Sequence, residues 1–423
     1  MKRDSISHRL LALVACLCAA VAQAQDAALG SDVEALLHYA RQHNPDYAGM
    51  RYEADAASER AEPAGALPDP KFRTELRDVT RMGEQNATLA PNRVGSTRYL
   101  VMQDVPWFGK RDLKREVAEL EAAGARGRAL ATWSDVAAKI KATYAQLYYV
   151  SRNERLTKEI LDLLTRLERI ARMRYSGGLA AQQDVVRAQV EQTLLRSELV
   201  DIETEQHHLH TRLNLLLARP ARAPLATPER LRTLPPPAGL EFAALERRVR
   251  ARNPLLSAAD SGVRAAEKGR ELAYRNRYPD FTFGVSPIQY QNSLKEWELM
   301  VELNIPLQRD SRRAQEREAE ALLASANSRR EATANQVLAE LAENFAALDA
   351  ARRNQNLSGD SLLAQAELGY QSALAGYENG KLDFATLLDA QRQIRQAKQN
   401  QIKAQAEAQM RLAEIERLLG EDL

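Results

Sequence analysis

Four short stretches of this chain alternate apolar and polar side chains with period two, and most of what lies between them keeps the longer period of a helix. In 294–305 the residues Trp297, Leu299, Val301, Leu303 and Ile305 alternate with Glu296, Glu298, Met300, Glu302 and Asn304. In 70–80, Phe72, Thr74 and Leu76 alternate with Lys71, Arg73, Glu75 and Arg77, and in 96–105 Tyr99, Val101 and Val105 alternate with Arg98, Met102 and Asp104. The stretch 279–289 adds Phe281, Phe283 and Val285 on one side. The pattern predicts four strands, each with an apolar and a charged face. A half-buried sheet in water has this alternation, and so does a wall between lipid and water. The density of ionised groups opposite aromatic and aliphatic residues favours the wall.

"VPWFGKR" at 105–111 and "IPLQRDS" at 305–311 each end a strand with a proline, where a missing N–H costs least and a fixed φ suits the first turn of a helix. No proline occurs between Pro106 and Pro220 or after Pro306, so each strand pair is followed by a long helical hairpin, over 110–217 and 310–420. Residues 110–174 alone span roughly 100 Å as a helix. Such a helix must pack along its length. Leu195, Leu199, Ile202, Gln206, Leu209, Leu213 and Leu216 step by alternating fours and threes, the seam of a coiled coil. The leaner second stripe, Ala390, Ile394, Ala397, Ala404, Ala408, Leu412, Ile415 and Leu419, lets helix axes come close. Between the hairpin arms, "SGGL" at 176–179 and "ENGK" at 378–381 supply glycines for positive φ.

The chain is written twice. "RQHNPDYAGM" at 41–50 answers "RARNPLLSAA" at 250–259, and "LPDPKFRTELRD" at 67–78 answers "RYPDFTFGVSP" at 277–287. "RYSGGLAAQQDVVRAQ" at 174–189 answers "GYENGKLDFATLLDAQ" at 376–391 in the same order. A first repeat over 25–217 and a second over 240–423 follow, joined by a Pro-rich, semi-rigid linker at 218–239.

The ends and the composition place this pattern. Lys2, Arg3 and Arg9, an apolar run 10–22 and "AQA" at 22–24 predict a secretory signal over 1–24. "LVAC" at 13–16 also fits a lipid-modified signal, which would make Cys16 an acylated N-terminus. Cys16 and Cys18 are the two cysteines, so a chain cut after Ala24 carries no thiol and no disulfide. With 59 Lys+Arg against 57 Asp+Glu, the net charge of +2 gives no footprint for nucleic acid. No apolar run is long enough for a transmembrane helix, a test that leaves a β-barrel open. There is no P-loop glycine motif and no plausibly spaced catalytic set, so neither an ATPase nor a hydrolase is expected, and no cofactor. His207 and His210, one helical turn apart, could share a metal or simply line a surface; without a carboxylate partner, surface is expected.

Four strands cannot close a barrel, and open sheet edges are forbidden in lipid, so several chains must contribute. A secreted, duplicated chain with four such strands and four long helices resembles the TolC-like outer membrane efflux family, most specifically in "VPWFGKR", "RYSGGLAAQQD" and "YENGKLDFATLLDAQRQ", and its length and "PWFGKR" look most like the heavy-metal and cation branch. The resemblance implies a mainly α fold with transmembrane β. Long antiparallel coiled-coil helices would form an α-barrel, and each protomer would give four strands to a trimeric twelve-stranded β-barrel. It implies a homotrimer in outer membrane lipid, reaching through the periplasm to a periplasmic adaptor and an inner-membrane pump of the RND type, with metal cations as cargo. By the same resemblance, Gly177, Gly178, Leu179, Gly380 and Lys381 form tips that touch the adaptor, and Asp389 rings a narrow periplasmic mouth. The family's companion acid falls on Thr386, leaving Asp383 or Asp184 to stand in. Tyr377 matches a tyrosine that latches the mouth, although the basic partner expected two residues after the glycine is Leu382, with Lys381 adjacent. A soluble periplasmic coiled-coil adaptor or scaffold is the competing expectation.

Overall fold

A computed structural model describes residues 29–236 and 240–423; the expected signal, with Cys16 and Cys18, and residues 237–239 of the linker lie outside them. The chain forms α1 (Val33–His43), α2 (Pro45–Glu59), α3 (Ala61–Gly65), β1 (Lys71–Arg77), β2 (Ser96–Val105), α4 (Lys110–Ser176) and α5 (Gln182–Leu216). It continues with α6 (Phe242–Arg252), α7 (Pro254–Arg275), β3 (Asp280–Tyr290), β4 (Ser293–Asn304), α8 (Arg309–Asn356), a π turn (Leu357–Leu362), α9 (Leu363–Glu378) and α10 (Phe384–Leu419). Apart from α3 and the π turn, the same order of elements occurs twice. The compact units are nevertheless not the repeats: among the described residues one gathers 29–49, 130–253 and 336–423, the other 50–129 and 254–335.

The second unit holds the strands, as one antiparallel sheet in the order β1-β2-β3-β4. Phe72 lies opposite Val101, Val101 opposite Val285, and Val285 opposite Leu299, so the apolar positions of all four strands share one face. That face is bare: Phe72 is 67% exposed, Trp297 69% and Leu299 85%. The opposite face is not purely ionic, since Leu100, Met102 and Ile288 are buried there among the charges. Each is covered by neighbours on an adjacent strand, as where Gly284 leaves room for Leu100 and Met102. β1 ends at Arg77, earlier than its alternation suggests, because Asp78 turns to φ 54° and accepts the Met82 N–H. The aromatic residues at the strand ends stack: Trp107 lies 5.1 Å from Tyr278 and 5.6 Å from Phe281 between ring centroids. Asp280 then accepts from the Trp107 N–H at 2.8 Å and from Lys110 Nζ at 2.8 Å, which is what "VPWFGKR" does structurally. It ties the start of α4 to the start of β3.

In the first unit, helices pack through the expected stripes. Leu195, Ile202, Leu209 and Leu213 are buried while Leu199, Gln206 and Leu216 are half-buried, and in α10 every apolar position from Ile394 to Leu419 of the leaner stripe is buried. The repeated "NP" marks a repeated device. Asn44 and Asn253 each cap a short helix before a proline that starts the next. Each is buried and donates its side-chain amide to the last turn of a returning helix, Asn44 to the Leu216 carbonyl at 2.9 Å and Asn253 to the Leu418 carbonyl at 2.8 Å.

The Pro-rich segment after α5 is held as a strap: Leu225 and Leu231 pack on the apolar core, Tyr144 donates to the Arg230 carbonyl at 3.1 Å, and Gln409 binds the Arg232 carbonyl. Burial, together with the nearby charge of Asp32, pushes the Tyr144 hydroxyl up to about 12, so it stays a donor at any ordinary pH. The second long helix is interrupted by one π turn between α8 and α9.

Candidate functional site

The residues singled out at the tips converge where α4 turns into α5 and α9 into α10. Both turns close with the same hydrogen bonds. Gly178 N–H reaches the Tyr175 carbonyl at 3.0 Å and Leu179 N–H the Arg174 carbonyl at 2.8 Å; Gly380 N–H reaches Tyr377 at 3.0 Å and Lys381 N–H reaches Gly376 at 2.8 Å. This is the Schellman pattern, which needs a left-handed residue. Gly178 and Gly380 supply it with φ 72° and 70°, whereas Gly177 takes an ordinary φ, a correction to the expectation that each glycine serves positive φ. A side chain at a left-handed position costs about 1–2 kcal/mol. Gly380→Ala is therefore expected to lose about that much local stability, read as faster amide exchange at Lys381 with little change in global melting. Leu179, at the very turn, is exposed.

Beneath the turns lies an aromatic and charged cluster. Tyr377 is buried, packs on Phe384 at 5.3 Å, and carries the Arg174 guanidinium 5.0 Å from its ring centre. Arg174 also donates to the Glu378 carbonyl at 2.8 Å, linking the two hairpins. The cation beside the tyrosine thus comes from the first hairpin, and not from Lys381, which is exposed. Leu382 lies against Gly376, where an added Cβ would come within 2.6 Å of its Cδ1. Close packing holds the position that a basic residue was expected to fill.

The three acids separate by role. Asp383 is the N-cap of α10, accepting the Thr386 N–H at 2.8 Å and the Thr386 hydroxyl at 2.6 Å, and these bonds hold its carboxyl below the ordinary value. Thr386 is the donor side of that cap. Asp389 is 67% exposed and meets Arg392 at only 3.5 Å. Asp184 is half-buried; burial raises its carboxyl above the ordinary 3.8, with Asp383 adding to the rise and Arg187 and Arg174 opposing it. A carboxyl raised in the fold favours the protonated form, so its stabilisation is complete below 3.8 and is lost as pH rises through the raised value. Tyr377, raised mainly by burial and then by Asp184, acts in the same sense far higher, above 10. Protection of the Leu179 and Lys381 amides is therefore expected to be greater at about pH 4 than at about pH 7, and Asp184→Asn to flatten that difference.

Sequence reasoning missed Arg174, and it missed the bidentate pair of Glu191 and Arg392, at 2.7 and 3.2 Å, that joins α5 to α10. Arg395 with Glu198, and Gln399 with Asn153 at 2.8 Å, continue this polar seam. The one available signal was spacing, since Glu191 and Glu198 lie seven residues apart on one face of α5. His207 is exposed and His210 half-buried, and among the described residues no group of three or more His, Cys, Asp or Glu is placed to hold a metal. No helix among them is long and apolar enough to cross a membrane.

A four-stranded antiparallel sheet and two helical hairpins are features this chain shares with solved outer-membrane channels. The solved channel CusC superposes with a TM-score of 0.78 at 17% identity, covering 92% of this chain and 92% of that one. The outer membrane protein VceC from Vibrio cholerae gives 0.77 at 18%, covering 92% and 96%. The profile of the outer membrane efflux protein family matches residues 245–421. The cobalt-zinc-cadmium resistance protein CzcC of Cupriavidus metallidurans is 23% identical over 401 residues, 92% of this chain and 90% of that protein. The second half of the chain is thus similar to the outer membrane efflux protein family, and the fold to that of solved outer-membrane channels.

Proposed function

We propose that three copies of this chain form the passive exit duct of a tripartite exporter, and that metal cations are its cargo. The observation that carries the reading is the sheet. Its apolar face is exposed on every strand, and both β1 and β4 are free edges in the single chain. Lipid satisfies the face but not the edges, so copies must join until the cylinder closes. Three copies of four strands give twelve, enough for a water-filled lumen with mixed charge. A soluble adaptor or scaffold would have no use for such a face, and catalysis has no part in the proposal.

At the periplasmic end, the paired tips of Gly177, Gly178 and Leu179 and of Gly380 and Lys381 suit docking of an adaptor, with the inner-membrane RND-type pump behind it supplying the energy. Asp389 is the acid best suited to ring the mouth, being exposed and weakly held; Asp383 serves its own helix, and Asp184 sits below with Tyr377. Three close carboxylates attract cations. The name of one relative favours a metal cargo, since CzcC is a cobalt-zinc-cadmium resistance protein. A strain lacking the gene is expected to lose tolerance to zinc, cobalt or cadmium, and to regain it from the wild type but weakly from Asp389→Ala. Loss of tolerance to organic drugs alone would refute the metal cargo. Recovery of the protein in the soluble periplasm would refute the duct.

A further inference from the structure

The two free edges of the sheet carry opposite charge on the same face. The polar-face residues of β1 are Lys71, Arg73, Glu75 and Arg77, three cations against one carboxylate. Those of β4 are Glu296, Glu298, Met300, Glu302 and Asn304, three carboxylates and no cation. The register aligns this β4 row with the β1 row across β2 and β3, so both lie opposite the bare apolar face.

Within one chain these charges are unevenly matched: Lys71 holds Asp104 at 2.7 Å, but the two arginines of β1 share one acid. Glu75 is the single carboxylate shared by Arg73 and Arg77, each at 3.7 Å, and by Arg98 at 3.8 Å, while the Arg73 and Arg77 side chains stay 60% and 57% exposed. Arg98 in turn holds Glu298 at 2.8 Å in the interior of the sheet. Glu302 is exposed, and Glu296, also exposed, accepts from the Tyr290 hydroxyl at 3.2 Å. Charged residues on an edge strand ordinarily keep edges apart, which like charges on both edges would achieve. Here one edge is basic and the other acidic, an arrangement that repels β1 from β1 and β4 from β4 but attracts β4 to β1. Head-to-tail joining of this kind closes into a ring. The alternation of strand directions makes a β4-to-β1 junction antiparallel, like the other pairs of the sheet.

We propose that β4 of one copy pairs with β1 of the next, and that the seam is selected and fastened on its polar face by ion pairs between the acidic β4 row and Arg73 and Arg77 of β1. The occupant of each free edge is therefore a second copy of this chain. The inference rests on reading the sheet as one share of a closed barrel, and it adds what makes the copies recognise one another.

The test exchanges the charges in the full-length protein in outer membranes. R73E/R77E and E296K/E302K are each expected to lose most of the SDS-resistant oligomer, and the combined four-residue exchange to restore it. Restoration separates recognition from mere damage to one chain. If the wild type forms no oligomer, the barrel reading itself fails. If the wild type is oligomeric and the two exchanges leave it unchanged, or if the combination is no better than either half, the charged seam alone is overturned. Should a reversed chain fail to reach the membrane, cysteines decide the matter. In a Cys16→Ser/Cys18→Ser background, Arg73→Cys combined in turn with Glu296→Cys, Glu298→Cys and Glu302→Cys is expected to give chains joined by a disulfide under mild oxidation in at least one pairing. Arg73→Cys with Ser286→Cys, on an interior strand, is expected to give none. No joined chains from any β1–β4 pairing would overturn the seam.

Discussion

Leu299→Arg is expected to abolish accumulation of the assembled protein in the outer membrane, while Leu299→Phe is tolerated. Leu299 is 85% exposed, stands in the middle of β4 opposite Val285, and shares its face with Val301, Phe283 and Val101. In water an arginine there would be harmless, because an exposed leucine gains nothing from its surroundings. In lipid it costs about 2–4 kcal/mol near the bilayer midplane, and a closed barrel of identical copies incurs the cost in each. The measurement is the amount of SDS-resistant, heat-modifiable protein in washed outer membranes. Equal recovery of the arginine and phenylalanine variants would show that the face does not meet lipid. The contrast is large because one hydrophobic environment decides it, whereas a loss of packing would affect both variants.

Glu416→Ala is expected to destabilise the helical unit by up to about 3–5 kcal/mol, the cost of removing one partner from a buried ion-pair cluster. Glu416 is 3% exposed and accepts from Lys141 Nζ at 2.6 Å, from Arg232 at 2.8 Å and from the Leu423 N–H at 3.0 Å. Lys141 is itself buried, and its other partner is Asp422. Removing the carboxylate therefore leaves the buried lysine to the exposed Asp422 and loosens the strap that Arg232 anchors. The pair of half-buried Glu168 with exposed Arg172, at 2.5 Å, offers the comparison, since an ion pair whose cation lies at the surface contributes about 0–1 kcal/mol. Thermal melting of the purified protein should fall clearly for Glu416→Ala and hardly for Arg172→Ala. The double change Lys141→Met with Glu416→Leu should recover much of the loss, because a packed apolar pair replaces a buried charge. A single change no worse than Arg172→Ala would show that the cluster bears no load.

Which parts of this protein can be read from its residues follows from the range of the forces involved. Asn44 and Asn253 illustrate the readable kind: an asparagine before a proline marks a helix end locally, and its repetition exposed the duplication. The strands are equally legible, because alternation is a property of the residues themselves. Arg174 is the opposite case. Its contact with Tyr377 joins residues two hundred positions apart, and nothing in "MRYSGG" distinguishes it from a solvated arginine. Leu100 and Met102 were likewise ambiguous, since only the neighbouring strands decide whether an apolar residue on a charged face is covered.

By itself the sequence determined the period of each segment, the places where helices and strands must stop, and the doubling of the whole pattern, because these depend on backbone sterics and on the nearest few side chains. The tertiary structure decided which charges find each other: Arg174 on the tyrosine, Arg392 on Glu191, Lys141 on Glu416, and Asp383 capping its own helix while Asp389 remains exposed. Such choices turn on distances of a few ångströms between segments far apart in the chain, where Coulomb and desolvation energies change steeply and no local pattern records the outcome.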